Sequence, residues 1–189
     1  KIVSEAVKEM SEGELLQIEK ARKLDIEENV YFDIISQKTA SLIASCCSCG
    51  AASTGSDDKT IEQMRLFGEQ TGIAFQIKDD LFDFGTGDNI GKATGNDIKE
   101  KKFTLPLIYA LRNASYLEKR RMINTIKNNQ DDEGKIAKVT DFVLGSGGIE
   151  YSTKKMHEHK DKALQLLSGF KDSDAKKALE QLVIYTIER

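Results

Sequence analysis

The sequence predicts an all-α fold, a large multi-helix bundle, and three observations lead there. Apolar residues recur with helical period along almost the whole chain. No window sustains strand-like alternation with β-branched enrichment. The chain has 189 residues, 39% of them apolar and 31% charged, which suits one soluble globular domain able to bury a core.

Roughly eight helices are expected. The first runs from the amino terminus to about Lys23, with Ile2, Val3, Ala6, Val7 and Met10 on its period and Gly13 as a point of interruption. Lys1 enters directly into that pattern, so the chain is expected to open inside a helix and to be a piece of something longer, truncated at its amino-terminal side. The second helix runs from about Glu27 to Ala52. Its small residues, among them Ala40, Ala44, Ser45, Ser48 and Ala51, let neighbouring backbones approach closely, so it is expected at the centre of the bundle. Asp57 or Asp58 opens the third helix as an N-cap, and that helix runs to about Phe84. Shorter helices follow over 104–113, 115–129, 132–144, 149–167 and 173–187, with Gly145, Gly147 and Gly148 breaking two of them apart. Between lies one long irregular segment, Gly85 to Phe103, and a loop of this length in a compact domain usually serves a function.

Charge narrows the function. The 28 basic residues nearly balance the 31 acidic ones, for a net charge of -3, which counts against a dedicated nucleic-acid binder. Apolar stretches are too short for a transmembrane segment. Cys46, Cys47 and Cys49 form an odd, clustered set that suits packing in a reducing cytoplasm better than a disulfide framework or a zinc site. His157 and His159 lie two apart on a helix, wrong for a shared metal, and read as surface residues.

The third helix carries the chemistry. Gln76, Asp79, Asp80 and Asp83 fall within roughly one 100° sector, a carboxylate stripe with Asp79 and Asp83 about 6 Å apart along the axis. Carboxylates this close repel one another unless cations neutralise them. Lys78 lies nearly opposite, so a solvent-facing stripe would push its ammonium into the core. The stripe is therefore expected to face a cleft that holds magnesium, which takes oxygen ligands and shares its shell with water and substrate phosphates. Lys38, Lys92 and Lys102 are candidates for the other side of such phosphates.

These residues resemble a known family. Asp79-Asp80-Leu81-Phe82-Asp83 is a DDxxD motif, and the run from Gly72 to Asp80 is similar to the second aspartate-rich region of the trans-isoprenyl diphosphate synthases, the polyprenyl synthetase family. Lys38-Thr39-Ala40 resembles its KTA element. Gly91-Lys92, Gly95-Asn96-Asp97 and Lys102-Phe103-Thr104-Leu105-Pro106 resemble its GK, GxD and KxTLP elements, in the family's order and at its spacing. Glu14 and Gln17 match another family run. The long-chain octaprenyl group is the nearest in flavour, and residues 1–189 would be the carboxyl-terminal part of such a synthase domain.

The resemblance implies a homodimeric prenyltransferase that condenses isopentenyl diphosphate with an allylic diphosphate. It implies Mg2+ on Asp79, Asp80 and Asp83, with Asp79 the closest ligand, and the allylic diphosphate on Lys38, Lys92 and Lys102. Thr39 and Gln76 would lie beside the reacting carbons with Lys38, and Phe75 would neighbour the isopentenyl site. The family's first aspartate-rich motif has no counterpart: Asp57-Asp58 and Asp131-Asp132 lack the third aspartate. Half an active site and uncovered apolar faces are therefore expected, and with them self-association. Lys101 stands where the family usually has glycine. Two other readings compete. A non-catalytic regulatory subunit of a prenyl synthase would be expected to lose some of these charged residues, and a terpene cyclase would have no reason for the KTA and KxTLP elements.

Overall fold

The computed structural model describes residues 2–23, 27–85, 95–129 and 132–188, and among these every regular element is a helix. In chain order they are α1 (Ile2–Lys23), α2 (Glu28–Ile35), α3 (Ser41–Ser53), α4 (Asp58–Phe82), α5 (Asn96–Lys99), α6 (Leu105–Asn113), α7 (Tyr116–Asn128), α8 (Glu133–Leu144), α9 (Gly148–Ser168) and α10 (Asp174–Glu188). The all-α expectation is met. None of the described helices is long and apolar enough to cross a membrane.

Local signals explain most boundaries. Asp57 accepts the Thr60 amide at 2.8 Å to cap α4, and Ser115 and Glu118 form a reciprocal capping box on α7. Asp132 accepts the Lys135 amide at the start of α8, and Ser173 accepts that of Lys176 at the start of α10. Pro106 occupies the first turn of α6, where its missing N–H costs nothing.

Four expectations are corrected. Gly13 does not interrupt α1, which runs through it. The expected second helix keeps its course but is not uniform: α2 and α3 are joined by a π-helical turn over Ser36–Ala40, in which the Ser41 amide donates to the Ser36 carbonyl. The third helix stops at Phe82, so Asp83 lies in a turn. The segment read as irregular contains α5; its stretch 86–94, with Lys92, lies outside the described residues.

The chain divides into two compact units. One comprises residues 1–15, 32–76 and 155–189. Its core gathers Phe67, Ala163, Leu167 and Val183, with Cys47 and Met64 packed against them. Glycines set its helix spacing: a Cβ on Gly72 would lie 2.6 Å from Ala40 Cα, and one on Gly13 2.7 Å from the Lys38 nitrogen. Backbones that close tolerate no side chain between them, which is the use foreseen for the small residues of the second helix. The other unit comprises residues 16–31 and 77–154. Ile98, Leu105, Leu107, Ile126, Val139 and Val143 are buried there.

Candidate active site

In the first unit the π turn sets the geometry. It holds Lys38, Thr39 and Ala40, and the extra residue per turn rotates their side chains away from where a regular helix would aim them. The Thr39 hydroxyl donates to the Gln76 side-chain oxygen at 3.1 Å, joining α4 to the turn across 37 positions of sequence. The Lys38 ammonium sits 2.6 Å from the Glu14 carboxylate of α1. Phe75 is half-buried beside Gln76 on α4.

In the second unit the aspartates part company. Asp79 is exposed, whereas Asp80 is 6% exposed and accepts a hydrogen bond from the Tyr31 hydroxyl at 2.8 Å. Burial, then the Asp80 charge, pushes the Tyr31 phenol well above its ordinary range. Asp83 accepts the backbone amides of Asn96 at 2.9 Å and Asp97 at 3.1 Å, while its carbonyl accepts the Gly95 amide at 3.0 Å. Gly95 makes this possible with φ 82°, a left-handed conformation that glycine takes without strain. The single expected stripe is therefore three different environments. Nor does Lys78 force it inward: its ammonium stands 4.9 Å from the centre of the Phe82 ring, whose edge of the helix is open to water.

Asp97 and Lys102 complete this region. Lys102 lies 3.3 Å from Asp97 and 2.6 Å from Glu100, and the Glu100 bond foremost raises the lysine's pKa. Burial raises Asp97, with Lys102 opposing and the Asp79 and Glu100 charges adding. Burial also raises Asp83, and the Asp97 charge adds to it. Burial thus disfavours the charged form of both carboxylates, and each stands close to the charge of another carboxylate.

Among the described residues no three His, Cys, Asp or Glu side chains gather closely enough to cage a metal ion. The donors are nonetheless all oxygen, which fits a hard cation that takes one or two protein carboxylates and completes its shell with water and phosphate. Asp79 fits best, being exposed; Asp83 is half-buried with one amide on each oxygen, and Asp80 is buried.

Two residues that the sequence left without a role contact the candidate site residues. Tyr31 fixes Asp80, although nothing in a lone tyrosine signals a partner 49 positions away. Asp97 is coupled to Asp79, Asp83 and Lys102, and its place in Gly95-Asn96-Asp97 was the available signal. The histidines are corrected too: both are half-buried, and His159 pairs with Gln70 at 2.8 Å with its ring 5.6 Å from that of Phe32.

A helical bundle with a DDxxD run at the carboxyl end of one long helix and a KTA turn hydrogen-bonded to that helix defines a class, and comparison agrees. Residues 1–143 match the polyprenyl synthetase family, and the chain belongs to it. It is 31% identical over its full length to octaprenyl diphosphate synthase of Escherichia coli and to heptaprenyl diphosphate synthase component 2 of Geobacillus stearothermophilus. In each case it spans 58% of the relative's length. Among solved structures it is similar to geranylgeranyl pyrophosphate synthase from Bacteroides thetaiotaomicron, with TM-score 0.91 and 37% identity, covering all of this chain and 62% of that one. A decaprenyl diphosphate synthase from Rhodobacter capsulatus superposes with TM-score 0.92 at 31% identity, covering 100% of this chain and 58% of the other.

Proposed function

We propose that this chain forms part of a magnesium-dependent trans-prenyltransferase that condenses isopentenyl diphosphate with an allylic diphosphate. The observation that carries the reading is the Thr39 to Gln76 hydrogen bond, which ties a polar π turn to the helix that leads into the aspartates. In this reaction the allylic carbon–oxygen bond ionises, the double bond of isopentenyl diphosphate attacks the freed carbon, and a proton leaves to give a longer allylic diphosphate.

The roles follow from chemistry. Asp79 is the direct ligand for the metal, and Asp80 steadies the same helix end while Tyr31 holds its carboxylate still. Asp83, with one amide on each oxygen, keeps a second lone pair on each for the metal's water shell. Magnesium, when bound, neutralises charge developing on the leaving diphosphate. Lys38, Lys92 and Lys102 contribute the remaining positive charge around the allylic diphosphate. The oxygens of Thr39 and Gln76 turn their dipoles toward the carbon that becomes cationic, with Phe75 beside the isopentenyl partner. None of these groups needs to act as a strong base. A homodimer in a reducing cytoplasm belongs to the same reading: Val3, Val7 and Leu15 leave apolar surface on α1 for a second copy to cover, and the three cysteines are free thiols.

The test is incorporation of labelled isopentenyl diphosphate onto farnesyl diphosphate, with and without magnesium, by the longest product of the gene. Incorporation is expected, and Asp79→Ala with Asp80→Ala is expected to abolish it. A folded protein that incorporates nothing would reject the reading in favour of a non-catalytic subunit.

A further inference from the structure

The exposed face of α7 has no part in the reaction proposed above, yet it has a distinct character. At about 100° per residue, Tyr116, Leu117, Arg120, Arg121, Asn124 and Lys127 share one sector of about 140°. Met122 and Ile126, on the opposite side, are buried and fix the helix on the bundle. The sector carries three cations and no carboxylate; the single acid of the helix, Glu118, lies outside it, is engaged by Ser115 in the capping box and is near enough to Arg121 to feel its charge. Leu117, Arg120, Arg121 and Lys127 line a shallow depression of about 580 Å³. Tyr116 and Leu117 are each 75% exposed, the most open large apolar side chains among those described.

We propose that this face of α7 docks the protein on an anionic membrane surface. Charge complementarity selects the surface. A sheet of negative charge attracts the three cations gathered on this face, which also sets the orientation. Leu117 and Tyr116 select lipid over other polyanions. A leucine among arginines gains nothing from a phosphate backbone, whereas at a bilayer it enters the acyl boundary while the tyrosine ring sits at headgroup depth. The inference does not depend on the catalytic reading and stands or falls separately.

The experiment is co-sedimentation of the longest product of the gene with vesicles of phosphatidylcholine and phosphatidylserine, and with vesicles of phosphatidylcholine alone. Binding to the mixed vesicles and little to the neutral ones is expected, falling steeply in molar salt as the charges are screened. Each cation near an anionic surface is worth about a five-fold gain in partition, so Arg120→Gln, Arg121→Gln and Lys127→Gln together are expected to lower it about a hundred-fold. Leu117→Ser is expected to lower it about five-fold. A control triple, Lys59→Gln, Lys171→Gln and Lys177→Gln, removes the same net charge from exposed positions elsewhere and is expected to leave binding nearly intact. Circular dichroism should be unchanged throughout, since every substituted side chain is exposed. Equal binding to both vesicle types would overturn the proposal, as would equal loss in the two triples. Binding of a single-stranded RNA oligonucleotide through the same arginines, with vesicles ignored, would overturn it in favour of a nucleic acid.

Discussion

Tyr31→Phe removes one oxygen from the protein and leaves the ring that fills its site. Tyr31 is 3% exposed, so no water stands ready to replace the hydroxyl, and Asp80 is 6% exposed, so its carboxylate loses a donor it cannot recover from solvent. A hydrogen bond to a charged, buried partner is worth about 2 kcal/mol, and the loss should approach that figure because the acceptor stays behind. With a urea dependence of about 2 kcal/mol per molar, the unfolding midpoint should fall by about 1 M. Asp80→Asn keeps an acceptor but removes the charge, and in that background Tyr31→Phe should cost only about 1 kcal/mol. The double-mutant cycle therefore predicts a coupling of about 1 kcal/mol between the two residues. A Tyr31→Phe midpoint indistinguishable from the parent's, or a coupling of zero, would refute the view that Tyr31 fixes Asp80. The same variant should bind manganese, a spectroscopic stand-in for magnesium, more weakly in the presence of inorganic diphosphate.

Lys101 holds φ 58°, a left-handed conformation that costs a non-glycine residue about 1 kcal/mol, so Lys101→Gly should raise the urea midpoint. Two glycines in helices should respond in opposite senses to alanine. Gly72→Ala drives a methyl to within 2.6 Å of Ala40 Cα and should cost about 1–3 kcal/mol, whereas Gly50→Ala, with nothing within 4 Å, should gain about 0.5–1 kcal/mol; the same denaturation series reads both. His159 adds a pH dependence. Burial first, then Lys162 and Lys155, pushes its imidazole down to about 4 from 6.5, with Glu158 opposing. The unfolded chain therefore takes up the proton first, and stability should be lost as pH falls from about 6.5 toward 4. His159→Gln should flatten that part of the profile relative to the parent, and an unchanged slope would show that His159 is not held neutral.

The class of fold was legible because helical periodicity is a local property, written into each stretch by the burial of one face. The cap at Asp57 was legible for the same reason, as were the helix starts at 115, 132 and 173, where Ser115, Asp132 and Ser173 each bond a residue three further on. Candidate chemistry was legible as well, since Asp79, Asp80, Lys38 and Lys102 stand out by type and spacing. Their environments were not. Asp79 and Asp80 are neighbours in the chain, yet one is exposed and the other is buried under a tyrosine hydroxyl 49 positions away. Asp83 sits where helical spacing would align it with them, but α4 ends one residue earlier and the Asn96 and Asp97 amides claim its oxygens.

The π turn at Ser36–Ala40 marks the same boundary between local and distant causes. Composition alone reads that stretch as ordinary helix, and the widening appears only where the backbone of α1 at Gly13 and that of α4 at Gly72 press close on Lys38 and Ala40. Periodicity, capping and motif spacing depend on residues within a few turns of one another, so the chain carries them wherever it folds. Whether a carboxylate meets water, a hydroxyl or an amide depends on segments brought together across dozens of residues, and only packing decides that.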